Sequence, residues 1–127
     1  MIQSYSEDYF PPMPVLAVEL AAPEENNWIG PYRALLDSGA DFSIVPLSFI
    51  RRLRPPIVRN ATLYSHWRDA HLVSIYSVDI RIGTLLQPAV MVAGDAQSRE
   101  ILLGRNLLNR LNLRLEGLKL RTHLLPS

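Results

Sequence analysis

Ala34-Leu35-Leu36-Asp37-Ser38-Gly39-Ala40-Asp41 is the stretch on which the reading of this chain turns. An apolar run over residues 32–36 has the length and composition of a strand, and it stops at an acidic residue in a turn of small residues. A carboxylate directly after a buried strand is costly unless it has partners or a task, because burial disfavours its charged form. Gly39 permits close backbone approach, and Ser38 offers a hydroxyl beside the carboxylate. Asp-Ser-Gly is also what an ordinary turn uses, with the aspartate capping local amides. The surroundings decide between the two.

Upstream, residues 1–12 read as a flexible arm ending at Pro11-Pro12, and residues 13–125 as one domain. Residues 13–22 read as a strand and 23–27 as a polar turn. Downstream, residues 42–45 form a short β-rich run, and Leu47–Leu53 has room for two helical turns before Pro55-Pro56 ends them. Residues 57–67, 72–82 and 85–93 read as strands. In the second of these, Val78, Ile80 and Ile82 alternate with Asp79 and Arg81. Ile101–Leu103 is a short buried strand, Gly104 follows, and residues 106–111 make a brief helix. The tail alternates leucines 113, 115, 118 and 120 with charged residues around a turn at Glu116-Gly117. Many short strands, ten prolines and little helix predict an all-β barrel or sandwich.

Composition bounds the chemistry. A chain of 127 residues with 48% hydrophobic residues fits one globular domain with its own core. A net charge of +1 supplies no field to attract nucleic acid or an acidic membrane surface, so neither is an expected partner. Arg51, Arg52 and Arg54 read as a solvated helix face. The absence of cysteine excludes disulfides, a thiol nucleophile and cysteine-ligated metal. His66 and His71 flank Asp69, but the spacing fits no zinc motif, so no metal is expected. Asn60-Ala61-Thr62 matches a glycosylation acceptor by chance only, given a polar, acidic N-terminus unlike a signal peptide. No apolar run reaches spanning length, and a soluble cytoplasmic protein is the expectation.

With a second motif, Leu102-Leu103-Gly104-Arg105-Asn106, the Asp37 segment resembles the signature pair of the retropepsins, the group that includes retroviral proteases and their cellular and bacterial relatives. The resemblance covers most of the chain. It implies an all-β, closed or partly open barrel with one short C-terminal helix, working as a two-fold symmetric homodimer. It also implies an aspartic endopeptidase that needs no cofactor, acting on a protein or peptide substrate. One motif per chain means that the second carboxylate comes from a second copy, and the two Asp37 side chains share a proton at the axis.

By the same resemblance, Ser38 braces the dyad and Gly39 presents its backbone near the substrate. Ala40, Asp41, Trp67 and Leu103 contact substrate. Asp41 and Arg105 form an ion pair near the dimer interface, with Gly104 as structural support. Apolar pockets would draw on Val45, Ile80 and Leu103. A hairpin flap would span 63–75 with its tip near 67–71, although no glycine occurs between Thr62 and Arg81. Trp67 is read either as substrate cover or as a partly exposed hairpin aromatic. The leucine-rich tail is read either as an interface strand pair or as an internal hairpin. The rival to catalysis is a non-catalytic retropepsin-fold module that dimerises and binds peptides.

Overall fold

The computed structural model describes residues 1–64 and 70–126. Ten strands, β1–β10 in chain order, form two sheets. β1 is Ile2–Ser4, β2 Val15–Ala21, β3 Ile29–Leu36, β4 Ser43–Pro46, β5 Ile57–Tyr64, β6 Ala70–Ile82, β7 Leu85–Asp95, β8 Ile101–Leu103, β9 Asn112–Glu116 and β10 Arg121–Leu125. Two short helices, α1 (Leu47–Leu53) and α2 (Arg105–Leu108), complete it. The chain is thus all-β with few helices, and α1 is a helix beyond the single C-terminal one that the resemblance implies.

Strands β2-β3-β8-β4-β7-β6 run side by side, and β2 also pairs with β6, which closes a barrel. β2 is buried along most of its length, with Ala17 and Glu19 partly exposed, in keeping with its nearly continuous apolar sequence. Leu16, Val18, Leu20, Ile80, Ile101 and Leu103 fill the interior with almost no exposed surface. Each such side chain contributes about 1.5–3 kcal/mol of burial.

The alternation in β6 predicts Asp79 on an outer face, yet Asp79 is buried. The register slips between Val78 and Ile80. Its carboxylate accepts the Glu24 N–H at 3.1 Å and the Ala89 N–H at 2.9 Å. Glu24 and Ala89 both have positive φ, and the buried acid satisfies the amides that those bends leave unpaired.

β5 lies outside the ring and, among the described residues, pairs only with β6. β6 pairs with β7 from Ile82 back to Ser74. Residues 70–73 therefore have β5 alone beside them, and the β5–β6 hairpin projects beyond the barrel.

The two ends of the chain form a separate three-stranded sheet, β1-β10-β9. Residues 1–12 read as a flexible arm, but Ile2–Ser4 pairs with β10 in the register Ile2↔His123. Further along, Ser6 and Met13 form an isolated bridge, and Arg33 reaches Ser6 and Asp8 at 2.8 and 2.6 Å. β9 and β10 are joined through a 3-10 turn at Gly117–Lys119, one step longer than the tight turn read at Glu116-Gly117. Among the described residues, no helix is long and apolar enough to cross a membrane.

Candidate active site

β3 ends at Leu36, and Asp37 begins a turn held from both sides. The Asp37 N–H donates to the Leu103 carbonyl at 3.0 Å, and the Ala40 N–H returns to the Asp37 carbonyl at 3.2 Å. The Gly39 N–H donates to Asp37 Oδ1 at 2.9 Å. Oδ2 accepts no hydrogen bond from the described residues. Asp37 is half-buried, and Ser38 and Gly39 are exposed. The apolar run before Asp37 predicts a buried carboxylate; in the single chain the turn lies at the surface, and of its strand only Ala34 and Leu36 are buried.

The second motif lies beside the first because β8 runs parallel to β3, with Leu36 opposite Leu103. Gly104 then passes against the backbone of Phe42. A Cβ there would lie 2.4 Å from the Phe42 carbonyl oxygen, so no other residue fits without moving the main chain. Arg105 follows and donates to the Ser38 carbonyl at 2.9 Å, while its other terminal nitrogen contacts the Asp41 carboxylate. The Arg105 N–H also donates to the Ala40 carbonyl at 2.9 Å. Asp41 and Arg105 therefore meet, within one chain, and Ala40 is tied to the same arginine.

Two residues outside the expected site complete the lock. Ser43 Oγ donates to Asn106 Oδ1 at 2.9 Å and accepts the buried Gly104 N–H at 3.0 Å. The Ser43 N–H donates to the same Asn106 oxygen at 3.0 Å, and Asn106 Nδ2 donates to the Met91 carbonyl at 2.8 Å. Ser43 is fully buried. Its one sequence signal is a hydroxyl inside the apolar run Phe42-Ser43-Ile44-Val45.

The side chains of Leu103, Val45 and Ile80 are fully buried in the main core, and Leu103 meets the Asp37 turn through its carbonyl. Strand alternation puts the neighbouring positions on the other face: Leu35, Leu102 and Ile44 align across β3, β8 and β4 and are each partly exposed. Phe42 and Ile44 also pack against a smaller cluster of Val73, Ile75 and Ala93, with Ala61 and Leu63 from β5. Trp67, His66 and Asp69 lie outside the described residues, as does the expected flap tip apart from Ala70 and His71. Among the described residues, no three His, Asp or Glu side chains converge as a metal ligand set.

No family model matches the chain, and no curated protein matches it by sequence. Solved structures do match. A retropepsin-like aspartic protease from Rickettsia conorii superposes with a TM-score of 0.65 at 16% identity, covering 98% of this chain and 88% of that one. The EIAV protease bound to the inhibitor HBY-793 gives 0.60 at 18% identity, over 85% of this chain and 93% of that one. The retroviral protease-like domain of Ddi1 from Leishmania major gives 0.51 at 17% identity, over 88% and 94%. The chain has the retropepsin-like fold.

Proposed function

We propose that this chain is one half of a homodimeric aspartic endopeptidase and that Asp37 is its catalytic carboxylate. The observation that carries this reading is the Asp37 turn. An aspartate at the end of a core strand has its main chain fixed by Leu103 and its turn braced by Arg105, while its carboxylate stays partly open to solvent. A chain with one such turn supplies one carboxylate, and a two-fold axis through the turn would supply the other.

Two carboxylates held that closely share one proton, because both cannot carry charge at short range. The ionised Asp37 takes a proton from a water as its oxygen attacks the scissile carbonyl carbon. The protonated Asp37 of the second copy hydrogen-bonds the carbonyl oxygen and supports the tetrahedral intermediate. Breaking the C–N bond then returns a proton to the leaving amine. Ser38 braces the pair across the axis, and Arg105 and Asp41 keep the turn in shape close to that interface.

An extended peptide suits the rest of the site. The aligned, partly exposed Leu35, Ile44 and Leu102 would serve as an apolar floor at the turn, and the β5–β6 hairpin would act as the flap, with strand-like pairing to the peptide main chain. The exposed leucines of the terminal sheet supply the surface for a second copy.

Cleavage of an unfolded protein, followed over about pH 3 to 8 with and without a statine-type inhibitor, tests the reading. Wild type is expected to cut in an inhibitor-sensitive manner and Asp37→Asn to be inactive at every pH. A folded, dimeric wild type that cuts nothing would instead favour a non-catalytic peptide-binding module.

A further inference from the structure

One titratable pair sits where the barrel meets the projecting hairpin, away from the Asp37 turn. β7 ends at Asp95, one residue past its last pair with β6, Ser74↔Gly94. Asp95 is also the partner of Pro46 at the end of β4, the strand that follows the Asp37 turn. On the hairpin side, His71 lies in the part of β6 that only β5 supports. Its Nε2 is 3.5 Å from Asp95 Oδ2.

Both ends of that contact are short of partners. His71 Nε2 is buried and makes no hydrogen bond among the described residues. Asp95 is 8% exposed; its Oδ1 accepts the Gln97 N–H at 3.0 Å, while Oδ2 is turned to the imidazole. At this separation a neutral ring gains little, whereas a protonated ring would make a charge pair in a partly dry setting. The imidazole is 34% exposed beside a surface groove also lined by Ser74, Tyr76 and Gln97, so protons can reach it.

Among the described residues, no other charged group on that face competes; Asp69, two positions before His71, lies outside them. Leu63 lies opposite His71 on β5 and Ala61 follows, both uncharged; Arg59, opposite Ile75, is the next charge along. β7 contributes Ala93 and Asp95 on the same face, and the following segment contributes the neutral Gln97.

We propose that His71 is a pH-sensitive positioning residue: when protonated it fastens the β5–β6 hairpin to the barrel rim through Asp95. For the protease reading, on which the kinetic consequence rests, this means tighter substrate binding at acid pH with little change in turnover.

The test is amide hydrogen exchange over residues 57–64 and 70–76 at about pH 5 and pH 8, corrected for intrinsic rates, with KM and kcat measured alongside. Wild type is expected to gain roughly threefold to tenfold protection at the lower pH, the size of a partly exposed ion pair. His71→Gln and Asp95→Asn lose the gain, and His71→Lys, charged at both pH values, shows high protection at both. KM should fall on acidification in wild type and not in His71→Gln. Equal protection at the two pH values in wild type, or a gain that persists in His71→Gln, overturns the proposal. Should Asp95→Asn fail to fold, His71→Lys against His71→Gln decides alone. Exchange needs no activity, so an inactive protein that still shows the gain counts against the protease and leaves the latch standing.

Discussion

The Asp37 turn and the terminal sheet differ in how far a single chain completes them. Around Asp37, main-chain and side-chain groups from β3, β4, β8 and α2 satisfy one another: Leu103 holds Asp37, Ser43 holds Gly104, Asn106 holds Ser43 and Met91, and Arg105 holds Ser38. In the terminal sheet, Ile2, Leu115 and Leu118 point outward, Leu118 without any cover. The scaffold of the site is thus self-sufficient, while its surroundings leave apolar surface that monomers seldom tolerate in quantity. The contrast teaches that geometry near the carboxylate is set within one copy, while the terminal sheet leaves apolar surface that one copy does not cover.

If that division is right, damage to the lock should act on folding and damage to the terminal sheet on association. Gly104→Ala should have the largest effect, about 3 kcal/mol of lost stability, because the new methyl meets the Phe42 main chain rather than a movable side chain. Denaturant unfolding measures it, and a stable variant would show that the crossing is looser than described. Ser43→Ala should cost about 2 kcal/mol by the same assay, since it strands the buried Gly104 N–H. Leu118→Glu should leave unfolding of the single chain unchanged and weaken self-association about tenfold, roughly 1.4 kcal/mol, in sedimentation equilibrium.

The smallest effect lies in the hairpin of the terminal sheet. The Arg121 hydrogen bond, and then the positive charges of Arg121, Lys119 and Arg114, hold the Glu116 carboxyl below its usual range. A depressed carboxylate stabilises the fold above its unfolded-state pKa, and that support is lost as pH falls through the lower, folded-state value. Glu116→Gln should therefore flatten the acid limb of the thermal stability profile slightly, and the exposed setting keeps the change small. An unchanged acid limb would show that the Arg121 contact carries nothing.

What could be read in advance was local. Asp37, Gly39 and the Gly104-Arg105-Asn106 run declare themselves through neighbours in sequence, and strand order along the chain follows apolar runs and turn residues. What could not be read depends on which strands meet. Ser43 gains its role from Asn106, far along the chain and adjacent only once β4 lies against β8. Leu103, Val45 and Ile80 look like pocket residues until pairing fixes which face of each strand is inside, and the same pairing puts Leu102, Ile44 and Leu35 on the other, partly exposed face. Ile2–Ser4 looks like loose chain because its partner, β10, lies at the opposite end of the sequence. Asp79 looks solvent-facing because a bulge is invisible to simple alternation.

Mixing wild-type and Asp37→Asn chains at fixed total concentration, with time for exchange, tests the shared site most directly. If each active unit needs Asp37 from two copies, peptidase activity should fall with the square of the wild-type fraction, so an equal mixture keeps about a quarter. Activity that falls in direct proportion to the wild-type fraction would mean that one chain carries a complete site, and would contradict the account.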